Sequence, residues 1–341
     1  MFDYGSNMMN GLQQRDTVGV ADIAAAAERI AGEAVRTPLL ASALLDERVG
    51  GRVLLKCECL QRTGSFKFRG AYNALASLDP DARGRGVVAV SSGNHAQGVA
   101  EAARIFGVPA TVVMPEDAPA IKRDRARRSG ATVIGYDRSR EDRDAVAAAV
   151  LAQSGGVLIH PYNDPRVIAG QGTAGREIAA QCAGMGIVPD AVLVPCGGGG
   201  LGAGIGVAIR DAYPEATLTL VEPEAFDDYG RSLRAGQPIA NTATSGSICD
   251  ALLAPSPGTI GFALNVRNAA RAVTVSDEAA MAAVAFAFRE LKLSVEPGGA
   301  VGLAALLSGG VDGRDRTTVV VLSGGNVDEA VLREALSRPA I

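Results

Sequence analysis

Short β-branched and aliphatic runs alternate with alanine-rich stretches of helical period along most of the chain. The runs Val53–Leu60, Val87–Ser91, Ala110–Met114, Thr132–Tyr136, Val157–His160, Ala191–Pro195, Thr217–Glu222 and Thr317–Leu322 read as strands. Helical patterns follow most of them, among them Ala96–Phe106, Asp142–Gln153, Gly172–Cys182 and Asp277–Leu291. Such alternation predicts an α/β fold of mainly parallel sheets covered by helices. Several strands are apolar almost throughout, as when both faces are buried. Many of the 42 glycines cluster just after strands, where open α/β sheets bind their ligands.

The chain has 341 residues, 48% of them hydrophobic and 21% charged, which suffices for two domains. A formal net charge of −4 provides no basic surface for nucleic acid. The arginine-rich stretch 122–128 reads as a solvated helix face. No apolar run reaches membrane-spanning length. The start is polar and lacks the apolar core of a signal peptide, so residues 1–18 are expected to be a disordered tail. The chain ends soon after its last strand–helix unit, and no further C-terminal domain is expected. Cys57, Cys59, Cys182, Cys196 and Cys249 have neither zinc-type spacing nor the density of a disulfide scaffold, which fits a reduced, cytoplasmic setting. Cys57 and Cys59 are expected on one face of the strand Val53–Leu60. His95 and His160 are too far apart to form a local metal motif, and no nucleophile elbow is present.

Four loops carry chemistry. Lys67, between Phe66 and Phe68, lies where a strand meets a helix. Apolar surroundings lower a lysine pKa, and a neutral amine forms a Schiff base with an aldehyde. Pro195-Cys196-Gly197-Gly198-Gly199-Gly200-Leu201-Gly202 follows a strand and opens a helix, where converging N–H groups and the helix N-terminus suit a phosphate. Gly197, Gly199 and Gly202 also spell G-x-G-x-x-G, with Glu222 ending the next strand, so a nicotinamide-dependent oxidoreductase is a competing reading. Ser91-Ser92-Gly93-Asn94-His95 suits a carboxylate or a phenolic oxygen, with plain helix capping by Ser92 or Asn94 as the alternative. Ser323-Gly324-Gly325-Asn326 could offer a hydroxyl to a ring nitrogen or be a simple turn.

Seven stretches, in order between Arg36 and Asp328, resemble the serine/threonine dehydratase family of fold type II pyridoxal-phosphate (PLP) enzymes, which includes serine racemase. They are LQRTGSFKFRGAYNAL, SSGNHAQGVA, HPYNDPRVIAGQGT, PCGGGGLGAGI, VEP, EPGGAVGLAAL and SGGNVD. The resemblance implies two open, twisted, mainly parallel sheets with the cofactor in an interdomain cleft. A small domain, residues 84–163, would be inserted into a large one, residues 19–83 plus 164–341. It also implies a homodimer or homotetramer.

The resemblance assigns roles. Lys67 would bind the cofactor aldehyde and then act as base at Cα, and Phe66 would lie along the ring. Asn94 would meet the phenolic oxygen, and Ser91, Ser92, Asn94 and His95 would hold the substrate carboxylate. Gly197, Gly198, Gly199 and Gly200 would cradle the phosphate. Ser323 would face the ring nitrogen, and Glu296 would lie near the ring. Ser92 matches the opposite-face acid/base of serine racemase, with carboxylate binding alone as the alternative. The implied activity is β-elimination from L-threonine to 2-oxobutanoate and ammonia, and from L-serine to pyruvate and ammonia. Serine racemase and 3-hydroxyaspartate ammonia-lyase activities are the alternatives. For the latter, Arg143 matches an arginine near the active site that would pair with a second carboxylate, with a charged helix start of solvated arginines as the favoured alternative. Glu222, the Phe226 carbonyl and Asp228 match a divalent-cation segment and would suit Mg²⁺ or Ca²⁺. A solvated acidic loop is the alternative there.

Overall fold

The computed structural model describes residues 17–118, 120–137 and 139–338. Of the expected tail, residues 1–16 lie outside the described residues, and Val18 is buried in the core. Among the described residues, ten strands form two sheets. They are β1 (Leu39–Ala41), β2 (Arg52–Lys56), β3 (Val87–Val90), β4 (Ala110–Pro115), β5 (Thr132–Tyr136), β6 (Val157–Leu158), β7 (Ala191–Pro195), β8 (Thr217–Pro223), β9 (Arg271–Val275) and β10 (Thr317–Val321). The six-stranded sheet runs β1-β2-β10-β7-β8-β9, and the four-stranded sheet runs β5-β4-β3-β6. Among these strands, only the β1–β2 pairing is antiparallel.

Alternate residues of the central strands serve opposite helix layers, as the period of two requires. Leu55, Leu193 and Val320 pack with Ala283, Val284 and Ala304 on one face. Leu54, Val192 and Val319 pack with Ile178 and Ile205 on the other.

The run Val53–Leu60 does not stay extended. Its strand ends at Lys56, and Glu58–Leu60 and Arg62–Gly64 are 3₁₀ turns. Cys57 and Cys59 therefore sit past the strand rather than along one face of it, yet both are buried. The reason is electrostatic: the turn brings Glu58 to Arg69. β1 and β9 escape a sequence reading because they are edge strands, one of three residues and one opening on an arginine. The helix expected from Gly172 starts at Pro165, where the Asp164 carboxylate accepts from Arg166 N at 2.8 Å and proline occupies the first turn.

That helix, Pro165–Gly184, packs against both the Lys67–Ala76 helix and the Gly200–Ala212 helix through glycine. A Cβ on Gly170 would stand 2.6 Å from Arg69 O, and one on Gly204 would stand 2.5 Å from Ile168 O. Neither position has room for a side chain, so the backbones touch.

A buried charge cluster fixes the same junction. Arg69 donates from Nε to Glu58 Oε2 at 2.7 Å and from Nη1 to Glu177 Oε1 at 2.7 Å. Lys56 donates to Glu177 Oε2 at 2.6 Å and to Thr37 O at 2.8 Å. Burial works to raise the Glu58 pKa, but Arg69 beside it holds the carboxyl below its usual range. Burial lowers the Lys56 pKa, and Glu177 only partly offsets this. Removing one partner strands the others in low dielectric. Arg69→Met is expected to cost about 3–5 kcal/mol of stability. Urea unfolding of the purified variant measures this, and an unchanged midpoint would show that the cluster holds nothing.

Candidate active site

The expected site residues come from the carboxyl ends of β3, β7 and β10 and from the start of the Lys67–Ala76 helix, with Glu296 at the start of the Pro297–Leu307 helix and Glu222, Phe226 and Asp228 at the end of β8 and just after it. The segment before Lys67 is pinned to the loop after β10. Ser65 bridges Gly324, and Phe66 N donates to Ser323 O at 3.1 Å. Lys67 Nζ donates to Pro161 O at 2.8 Å and stands 5.1 Å from the Phe66 ring centroid. Burial pushes its pKa down to about 8, against a smaller opposing pull from Glu296.

From β3, the Asn94–Phe106 helix is capped by Gly93 without a side-chain bond, so neither Ser92 nor Asn94 does the capping. Ser91 Oγ instead accepts from Gly93 N at 3.2 Å. The leading N–H groups of such a helix have no intrahelical acceptor and suit a carboxylate. Asn94 Nδ2 donates to Glu296 Oε1 at 2.6 Å, which joins the four-stranded sheet to the other side of the site. His95 is buried, with Nε2 2.7 Å from Ile159 O. Since a carbonyl only accepts, Nε2 carries the proton. Burial, with Lys67 nearby, lowers the His95 pKa to about 3 and keeps the ring neutral. The His95 side chain is thus anchored to the backbone after β6 and supplies no cation for a carboxylate.

After β7, the Gly197–Gly200 run opens the Gly200–Ala212 helix, with Gly199 at φ +83°. Neighbouring rings account for the glycines: a Cβ on Gly198 would meet the Tyr162 ring at 2.3 Å, and one on Gly199 the Tyr229 hydroxyl at 2.1 Å. Asn265 Nδ2 holds this turn, donating to Gly199 O at 3.1 Å and to Tyr229 Oη at 2.8 Å. A narrow cradle of backbone amides at a helix N-terminus, near a lysine of lowered pKa, fits an aldehyde-bearing phosphate such as PLP.

The dinucleotide reading fails at Glu222. Its carboxylate is fully buried and accepts from Tyr229 N and Gly230 N, both at 2.8 Å, so it cannot reach a ribose. Asp228 is also buried. Its Oδ1 accepts from Asn241 at 2.7 Å, while Oδ2 has no partner. Burial raises Glu222 to about 8 and Asp228 to about 6. Phe226 is buried in the turn between them. Among the described residues, no group of three or more His, Cys, Asp or Glu side chains is placed to hold a metal. Among them, too, no helix is long and apolar enough to cross a membrane.

Sequence reading missed Tyr162, Tyr229, Asn265 and the Pro161 carbonyl. All act through contacts distant in sequence, and only the His160–Asn163 stretch carried a motif.

Residues 30–324 match the family described as pyridoxal-phosphate dependent enzyme, and the chain belongs to that family. Its sheets and helices are those of fold type II. Within the family it is a PLP-dependent lyase of the ammonia-lyase and racemase group. An L-threo-3-hydroxyaspartate ammonia-lyase from a Pseudomonas species is 44% identical, covering 90% of this chain and 95% of that one. An Arabidopsis thaliana serine racemase is 40% identical, covering 94% and 96%. The crystal structure of a T.th. threonine deaminase is 47% identical with a TM-score of 0.86, covering 91% and 99%.

With a Lys67 pKa of about 8 rather than 10.5, the reactive neutral amine gains tenfold per pH unit only up to that point. The rate at which PLP added to cofactor-free protein develops visible absorption is expected to rise with pH and level off above about 8. Lys67→Ala abolishes that absorption. A rate still climbing steeply at higher pH would place the lysine in water.

Proposed function

We propose that the protein is an ammonia-lyase that removes the β-hydroxyl and then the amine from small 3-hydroxy amino acids, and that 3-hydroxyaspartate is its preferred substrate. The observation that carries the substrate is Arg143, at the start of the helix Arg143–Ser154. Its charge bears on both His160 and Tyr162, which flank the Pro161 carbonyl held by Lys67. The guanidinium is exposed and donates to Asp144 Oδ1 at 3.1 Å, and a substrate's second carboxylate would take that carboxylate's place. Relatives named for 3-hydroxyaspartate agree with this reading. The threonine deaminase likeness favours L-threonine and L-serine as a second reading.

When bound through its aldehyde, PLP supplies the electron-withdrawing system that makes an amino acid's Cα proton acidic. The chain's own groups do the rest. Gly197–Gly200 would anchor the phosphate, and the N-terminus of the Asn94 helix, with Ser91 and Ser92, would anchor the α-carboxylate. Lys67, uncharged in a useful fraction near neutral pH, would take the Cα proton. Ser323 presents a hydroxyl rather than a carboxylate and would leave the ring nitrogen unprotonated, which favours expulsion of the hydroxyl over prolonged charge storage in the ring.

The test is 2-oxo acid release from L-threonine, L-serine and the threo and erythro L-3-hydroxyaspartates, with PLP present. Oxaloacetate from hydroxyaspartate should dominate. Arg143→Met should raise KM for hydroxyaspartate about 10- to 100-fold, the size of one charged hydrogen bond, while leaving serine turnover near its starting value. Dominant 2-oxobutanoate from threonine, unaffected by Arg143→Met, would select the second reading.

We also propose that Glu222, Asp228 and the Phe226 carbonyl hold Mg²⁺ or Ca²⁺. Two buried carboxyls have raised pKa, one of them carries an unpartnered oxygen, and the pull of Arg231 on Asp228 does not offset the burial. Folded-state pKa values above the unfolded ones mean that stability falls as pH rises between the two. Either ion should raise the melting temperature of wild type at about pH 8 and leave Asp228→Asn unchanged. Equal melting with a chelator would remove the site.

A further inference from the structure

Asn94 is held at both ends of its side-chain amide. Asn326 Nδ2 donates to Asn94 Oδ1 at 2.7 Å, and Asn94 Nδ2 donates to Glu296 Oε1 at 2.6 Å. The two ends of an amide have almost the same shape, so their partners must decide which is which. Here a backbone carbonyl decides. Asn326 Nδ2 also lies 2.8 Å from the Thr63 carbonyl, which can only accept. The NH₂ of Asn326 therefore faces Thr63 and Asn94, and Asn94 must turn its oxygen towards it. At the far end, Glu296 Oε1 accepts from the Asn94 NH₂ that this orientation leaves facing it. One of the two hydrogens of that NH₂ goes to Glu296, and the second remains.

The backbone supports this arrangement at visible strain. Thr63 lies in the left-handed region at φ 63°, ψ 9°, where a β-branched residue is an outlier. Strain of this kind concentrates at functional sites. Gly64 follows at φ +76°, and a Cβ there would stand 2.7 Å from Asn326 Oδ1. Gly325 N donates to Gly64 O at 2.8 Å and locks the two loops together. The strained turn thus delivers a carbonyl to Asn326.

We propose that Asn326 is a positioning residue which, fixed by the Thr63 carbonyl, makes Asn94 present an N–H, rather than its oxygen, to the phenolic oxygen of the bound cofactor. The inference rests on the reading that the chain binds PLP with Asn94 at that oxygen. An N–H there stabilises negative charge on the oxygen and hence the visible-absorbing form of the cofactor over the near-ultraviolet form.

The test uses the holoenzyme. Asn326→Asp is nearly isosteric, removes the donor and frees Asn94 to reverse. Asn326→Ala removes the donor by truncation and decides on the same readout should the first variant not fold. In either, the ratio of visible to near-ultraviolet absorption should fall about fivefold, the size of one net hydrogen bond. Asn94→Asp should lower it similarly, and combining it with Asn326→Asp should add little, since the two act in one chain of bonds. An unchanged ratio in the Asn326 variants, with a lowered ratio in Asn94→Asp, overturns the inference alone. An unchanged ratio in Asn94→Asp overturns it by removing Asn94 from the oxygen. A wild type that gains no visible band with PLP overturns the cofactor reading and the inference with it.

Discussion

Backbone contact between helices is the constraint on which the rest of the molecule depends. The Pro165–Gly184 helix touches the lysine-bearing helix on one side and the cradle helix on the other, each time where glycine leaves no side chain between them. The separation between Lys67 and the Gly197–Gly200 turn is therefore set by close-packed main chain rather than by side chains able to change rotamer. A reactive group that must meet one end of a ligand while the turn grips the other needs such fixed spacing. The Arg69 cluster secures the same junction by a different force, placing a fully bonded guanidinium two residues beyond the lysine.

Electrostatics divide the site by function. Burial lowers both Lys67 and His95, but their geometries differ. The lysine ends on a carbonyl and can exchange that contact, whereas the imidazole is buried and donates its N–H to Ile159 O. One neutral base is available and the other is structural. No charge count distinguishes them; the hydrogen-bond partner does.

The alternation of strand and helix was readable because period and composition are local properties. Thr132–Tyr136 and Ala191–Pro195 emerge with the expected bounds. The expected extension of the second strand to Leu60 failed because Glu58 answers to Arg69, a partner outside any local window. The loops expected to carry chemistry stand out in the sequence because glycines after strands are conspicuous. Their neighbours could not: Tyr229 reaches Gly199 across the fold, and Asn326 meets Asn94 across 232 positions. The neutral state of His95 was hidden for the same reason, since it depends on burial by the packed fold and on nearby Lys67, 28 positions away in the chain.

All five cysteines are free thiols inside the folded protein, distributed from the end of β2 to the loop before the Asp250–Leu252 turn. Burial holds Cys182, Cys196 and Cys249 in the unreactive protonated form, and the neighbouring Cys59 together with burial does so for Cys57. Thiol chemistry in this molecule is thereby converted into a clock for structural opening. A bulky alkylating reagent can reach these sulfurs only through excursions that expose them, and sulfurs in different parts of the fold time different excursions. The order in which the cysteines become labelled would rank the regions of the chain by how readily each one opens, without any assay of turnover.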